Sequence, residues 1–172
     1  MDDAHWMQRA LSLAELAVTA GEVPVGAVIV ADGVEIGGGY NLTITDCDPS
    51  AHAEIVALRL AARRVGNYRL TGATLYVTVE PCIMCVGAIA HARLARVVFG
   101  CADPKAGALG SVYDIAADAR LNHRFAVTAG VEEAACRAAL QTFFQQKRGQ
   151  AQGTDLFSPD RVLEKGRLRE RK

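Results

Sequence analysis

The chain has no surplus of either charge: across 172 residues, 19 Lys and Arg are matched by 19 Asp and Glu, a formal net charge of +0. The field of the whole molecule therefore offers no general attraction to nucleic acid, and any such contact must be local. No apolar run is long enough for a membrane span, and the opening Met1-Asp2-Asp3 lacks the basic and apolar regions of a secretory leader. A cytoplasmic location with no membrane partner is the expectation. The five cysteines show no disulfide framework, and unpaired thiols suit a reducing compartment. Internal repeats are also missing. What is present is 51% hydrophobic content, enough at this length for one sizeable core.

The periodicity alternates between strand and helix. Residues 4–19 predict a helix with Trp6, Ala10, Leu13 and Ala17 on one face. Val25 to Ala31 reads as a near-continuous apolar strand, Asp32-Gly33 as a hairpin turn, and Val34 to Tyr40 as the partner strand. Helix 50–65, strand 74–79, helix 82–92 and strand 96–100 follow in βα order, then a strand near 125–129 and a helix over 132–147. Such alternation predicts a sheet with helices on both faces. Residues 1–148 form the expected domain. From Gly149 to Lys172 the low apolar content and mixed charge predict a flexible tail, whose basic end could add weak attraction to RNA.

Two short motifs carry chemistry. His52-Ala53-Glu54 and Pro81-Cys82-Ile83-Met84-Cys85 supply one imidazole, two thiols and a carboxylate that need not touch a metal. One nitrogen and two sulfurs make an open tetrahedral zinc site, with the fourth position left for water. Zinc lowers the pKa of such a water to about 7. Glu54, beside a ligand without being required as one, can accept and return protons. Taken alone, the C-x-x-C pair also reads as half of a structural zinc site or as a redox pair. A closed structural site wants a fourth Cys or His, however, and Cys47, Cys101 and Cys136 have no paired spacing. These three read as buried or loop thiols.

Local signals place both motifs at helix starts. Pro81 suits a first helical position, and an i, i+3 spacing puts Cys82 and Cys85 on one helix face. Asp48-Pro49-Ser50 is a start signal ahead of the apolar stripe Ile55, Leu58, Ala62, Val65, which His52 extends. In a regular helix residues 52 and 54 point about 200° apart, so they converge only at the helix end. The expectation is two helix N-termini facing each other across one ion.

The H-x-E and P-C-x-x-C pattern resembles that of the zinc nucleobase deaminases. The likeness runs from about Trp6 to Arg148 and includes Glu22-Val23-Pro24-Val25-Gly26-Ala27, Asn41, Asp48-Pro49, Asn67-Tyr68-Arg69-Leu70 and Thr74-Leu75-Tyr76-Val77-Thr78. Later segments, Asp103-Pro104-Lys105, Gly107-Ala108, Gly110-Ser111 and Asn122-His123-Arg124, are similar to those of the bacterial tRNA adenosine deaminases. Asp46 and Cys101-Ala102 stand where some members carry basic residues.

The resemblance implies a three-layer α/β/α sandwich around a five-stranded sheet, of the cytidine deaminase type. It implies conversion of adenosine to inosine at the wobble position of a tRNA anticodon loop, with tRNA-Arg the expected acceptor. It also implies one zinc ion per subunit, no organic cofactor and a homodimer. Carried over residue by residue, His52, Cys82 and Cys85 hold zinc and Glu54 is catalytic. Asn41 hydrogen-bonds the flipped nucleoside, while Val23, Pro81 and the Ala53 backbone line its pocket. Asp103, Lys105, Ser111, Asn122 and Arg124 contact neighbouring nucleotides, and Lys147 and Arg148 hold phosphate. Of the consecutive pair on the last helix, Phe143 aligns with Cys136 and Leu140 as core; Phe144 is then the candidate to stack on substrate, with a core position as the alternative reading.

Two alternatives remain at this level. A free-base deaminase acting on guanine or cytosine uses the same zinc chemistry, although a small base leaves the Asp103 to Ser111 segment nothing to hold. A noncatalytic RNA-binding subunit with structural zinc has no use for Glu54.

Overall fold

A computed structural model of the chain describes residues 2–152. The elements are α1 (Asp3–Thr19), β1 (Gly26–Ala31), β2 (Val34–Tyr40), α2 (Ala53–Val65), β3 (Thr74–Val79), α3 (Ile83–His91), β4 (Arg96–Cys101), β5 (Ala126–Ala129) and α4 (Glu133–Gln152). The strands lie in the order β2-β1-β3-β4-β5. β1 is antiparallel to both its neighbours, and β3, β4 and β5 are mutually parallel.

Strand side chains alternate between the two faces of the sheet. Ala27, Ile29, Leu75, Val77, Val97 and Phe99 pack with Ala57 and Ala61 of α2 and with Val86 and Ile89 of α3. Val28, Val30, Tyr76 and Val98 pack on the opposite face with Trp6, Met7 and Ala10 of α1 and Cys136 of α4. The result is the expected three-layer sandwich. The hairpin turn falls on Asp32 and Gly33, both at positive φ (51° and 73°), the backbone that a two-residue turn needs.

The antiparallel β1 has a consequence for the site. Because β2 and β3 both run opposite to β1, they run in the same direction and end at the same edge of the sheet. The helices that follow them, α2 and α3, therefore begin side by side on one face. Close approach of α2 to the sheet depends on Gly37 and Gly39. A Cβ at Gly37 would come within 2.7 Å of the Ala61 nitrogen, and one at Gly39 within 2.8 Å of the Ala57 nitrogen.

Two boundaries and one burial assignment differ from the sequence expectation. α2 starts at Ala53, not 50, because the Asp48 carboxylate accepts both the N–H and the hydroxyl of Ser50 and turns the chain before the helix. The buried face of α2 then runs through Glu54, Ala57, Leu58 and Ala61. Val65, expected in the core stripe, is 51% exposed, since the helix is already leaving the sheet for Gly66 at φ 70°. At the other end α4 continues through residue 148, the expected domain boundary, as far as Gln152. The remainder of the expected tail, residues 153–172, lies outside the described residues. Among the described residues no helix is long and apolar enough to cross a membrane.

Candidate active site at two helix N-termini

His52 is the N-cap of α2 and Cys82 the N-cap of α3, and neither side chain caps its own helix. Both turn to a common point instead. His52 Nδ1 lies 3.7 Å from Cys82 Sγ and 3.6 Å from Cys85 Sγ, and the three ligand atoms all fall within 4.8 Å of one another. For tetrahedral zinc, with metal–sulfur bonds of about 2.3 Å and metal–nitrogen bonds of about 2.0 Å, the sulfur-to-nitrogen edge is about 3.6 Å. The donor set fits zinc in both chemistry and spacing.

Pro81 is not the first helical residue, which corrects the sequence expectation; that position belongs to Ile83. Cys82 keeps an extended backbone, with φ −76° and ψ 172°, which carries its sulfur over the helix end rather than along its side. The same holds for His52 at φ −71° and ψ 153°. This is how residues 52 and 54 converge despite their angular separation in a regular helix.

The electrostatics of the cluster favour a cation. Both helices point their N-terminal, positive ends at the sulfurs, which stabilises thiolate. Hydrogen bonding from Cys85 and then from His52 holds the Cys82 thiol down at about 3. Cys85 is pushed up, first by the hydrogen bond it shares with Cys82 and then by burial. His52 is also raised, chiefly by its hydrogen bond to Cys82. In the metal-free cluster the negative charge therefore sits on the Cys82 sulfur, with a thiol on Cys85 and an imidazole on His52 turned toward it.

Glu54 lies in the first turn of α2 and is 4% exposed. Burial pushes its carboxyl above the usual range, which favours holding a proton. With His52 and Cys82 it lines a cavity of about 880 Å³, in the size range of small-molecule sites. Val23, Asn41 and Thr43 form one wall; Asp103, Lys105 and Ala106 form a second; Arg137, Gln141, Phe144 and Arg148 of α4 form a third. Asn41 Oδ1 accepts the Ala53 N–H at 2.9 Å.

Several residues assigned from the resemblance lie elsewhere in the single chain. Ala53 and Pro81 are buried beside the ligands but do not line the cavity. The Ser111 hydroxyl donates to Glu80. Asn122 accepts from Arg93, just past the C-terminal end of α3 and so at the opposite end of that helix from the cysteines, and Arg124 donates to the Ala119 carbonyl at 3.5 Å. Lys147 is held over the Phe143 ring, with Nζ 5.5 Å from its centroid. Asn41, Val23, Asp103, Lys105, Phe144 and Arg148 do face the cavity.

Sequence reasoning missed two buried carboxylates, Glu22 and Glu80. Glu22 accepts from Thr43 Oγ1 at 3.1 Å and from the amides of Ile44 and Thr45 at 2.8 and 2.7 Å. Glu80 accepts from the amides of Asp103, Leu109 and Ser111 at 3.1, 2.9 and 3.1 Å. Each fastens one of the two loops that wall the cavity. The one signal in the sequence was a lone acid at the edge of an apolar run, immediately before Val23 in one case and before Pro81 in the other.

Comparison with known proteins agrees with this geometry. The profile of the cytidine and deoxycytidylate deaminase zinc-binding region matches residues 1–101. The chain is 52% identical to a tRNA-specific adenosine deaminase of Haemophilus influenzae (strain ATCC 51907 / DSM 11121 / KW20 / Rd), over 85% of each chain. It superimposes at TM-score 0.77 and 42% identity on a structure from studies of A-to-I editing by tRNA:A34 deaminases at the wobble position of transfer RNA. That match covers 79% of this chain and 99% of the other. It also matches a guanine deaminase from Bacillus subtilis at 43% identity and TM-score 0.57, over 59% of this chain and 66% of the other. The chain belongs to the cytidine and deoxycytidylate deaminase family, on the branch of the tRNA-specific adenosine deaminases.

Proposed function

We propose that this chain is a zinc-dependent hydrolase that converts adenosine to inosine at the wobble position of a tRNA anticodon, with an arginine-accepting tRNA as substrate. The observation that carries the reading is the buried Glu54 carboxylate beside the His52, Cys82 and Cys85 donors on the wall of one cavity. The relatives named for tRNA and A34 deamination support the choice of substrate.

Zinc held by His52, Cys82 and Cys85, one ion per subunit, supplies the Lewis acidity that activates water near neutral pH. Glu54 takes the two protons of the attacking water in turn, the first as the water adds to C6 and the second from the hydroxyl then on C6, and delivers them to N1 of adenine and to the amino group, which leaves as ammonia. Its raised pKa suits the return leg, in which the carboxyl must hold a proton inside a closed site. The Asn41 amide nitrogen, left free by the Oδ1 bond to Ala53, is placed to hold the flipped nucleoside against the Val23 wall. Asp103, Lys105, Phe144 and Arg148 face the mouth, where neighbouring nucleotides pass. Asn122 and Arg124 lie away from this mouth in the single chain; the proposal includes a homodimer in which a second copy would supply them. The reaction as proposed needs no organic cofactor, and a tRNA substrate is in keeping with a cytoplasmic location.

The guanine deaminase likeness keeps a free base as the rival substrate. Incubating zinc-loaded protein with an anticodon stem-loop bearing wobble adenosine, and separately with guanine, decides between them. Inosine without xanthine is the expected result; xanthine alone overturns the RNA assignment. Glu54→Gln should keep its metal and lose inosine formation by about 10³-fold, whereas retained activity removes Glu54 from the reaction.

A further inference from the structure

We infer that Glu80 is the positioning residue for the loop that grips the nucleotides beside the target base, an inference that rests on the RNA substrate proposed above. Glu80 follows β3 directly and is 3% exposed. Three backbone amides and one hydroxyl, all from the segment 103–111, converge on its two oxygens. The Leu109 amide is buried, and a buried amide without a partner is costly, so removing the carboxylate destabilises this arrangement of the segment.

The loop also lies unusually close. A Cβ on Gly107 would run into the Glu80 carboxylate, so glycine allows the chain to wrap around it. Beside this anchor, the Ala108 N–H donates to the Pro81 carbonyl at 2.9 Å, and Gly107 bridges to Cys82. The inner side of the loop is thereby fastened to the entry of the zinc-binding helix. Its outer side carries Asp103 and Lys105 to the cavity wall. Asp103 Oδ1 is committed to the Lys105 amide at 2.9 Å, which fixes the turn and leaves the second oxygen for a ligand. Ser111, assigned to RNA by resemblance, is on this reading part of the anchor.

A glutamine at 80 keeps the volume but replaces one acceptor oxygen with an NH2 group that faces N–H donors. It should loosen the loop and leave the metal ligands in place. Hydrogen exchange at the amides of Asp103, Leu109 and Ser111 should accelerate in Glu80→Gln. KM for the stem-loop should rise about tenfold, while kcat stays within about threefold and zinc content is unchanged. A merely structural role would lower zinc content, kcat and melting temperature together, and that pattern overturns the inference. Ser111→Ala deletes one donor and should move exchange and KM in the same direction by about two- to threefold. If Glu80→Gln does not fold, a folded Ser111→Ala with wild-type exchange and KM overturns the inference equally. Wild-type protein that makes no inosine defeats the substrate reading instead, and the exchange measurement reports the anchor separately from that failure.

Discussion

Asn41 Oδ1 sits 2.9 Å from the Ala53 nitrogen, so a side chain at the end of β2 caps the first turn of the helix that carries Glu54. The bond takes the place of the usual cap because His52, the residue in the capping position, has its imidazole turned toward the cysteines and caps nothing. One residue therefore meets both the helix and the site: its oxygen completes α2, and it lines the cavity.

Asn41→Ala separates these purposes by magnitude. Loss of the cap costs about 1 kcal/mol of stability. Loss of a donor aimed at the substrate costs about 10²-fold in kcat/KM. Urea denaturation and kinetics on the same stem-loop check both. A small stability loss with unchanged kcat/KM would limit Asn41 to its structural bond.

Metal removal should affect the fold as well as the chemistry. His52, Cys82 and Cys85 come from two adjacent helix starts, so a bound ion would tie α2 to α3. At free zinc a thousandfold above Kd, such binding stabilises the folded chain by about 4 kcal/mol. Chelation should abolish inosine formation and lower Tm by roughly 10 °C, and added zinc should restore both. Full activity in metal-stripped protein is the contrary result, read by elemental analysis alongside the assay.

The metal motif was legible in the sequence because ligand chemistry demands particular residue types; Pro81 and the Asp48-Pro49-Ser50 turn announced the two helices but placed each start a few residues too early. The three layers followed from the strand and helix periods, which burial imposes along the whole chain. Glu22 and Glu80 were not legible, since a carboxylate that binds loop amides through space leaves no period and no spacing. Ser111 shows the same limit from the other side. Its residue type suits RNA contact, but its partner, Glu80, is 31 positions away in the chain.

Glu22 is one of the carboxylates that make the fold sensitive to acid. Burial alone would push its pKa up, but the hydrogen bonds from Thr45, Ile44 and Thr43 outweigh burial and hold the carboxyl below its ordinary value of 4.5. A folded-state pKa below the unfolded one means that the folded state binds fewer protons. The contribution is fully present above about pH 5 and disappears as pH falls through the folded-state value. Urea stability of the wild type should therefore drop between pH 5 and 3 more steeply than that of Glu22→Gln. At pH 7 the variant should be weaker by about 1 to 3 kcal/mol, because buried donors lose a charged acceptor. Parallel pH curves for the two proteins would assign the acid sensitivity elsewhere.

Phe143 and Phe144 are neighbours in sequence with opposite expected phenotypes. Their rings meet edge to face, 5.4 Å between centroids, yet Phe143 is 7% exposed and Phe144 is 44% exposed on the cavity wall. Truncating the buried ring leaves a cavity among packed side chains, so Phe143→Ala should cost about 3 kcal/mol. Removing the exposed ring costs the fold well under 1 kcal/mol. A base stacked on an aromatic ring is worth about 1 to 3 kcal/mol, so Phe144→Ala should raise KM for the stem-loop by about tenfold or more. Phe143→Ala should leave KM near wild type wherever the protein remains folded. The contrast is the test: a KM effect that tracks the stability loss across both variants means that neither ring holds RNA, whereas opposite rankings in the two measurements put a base on Phe144.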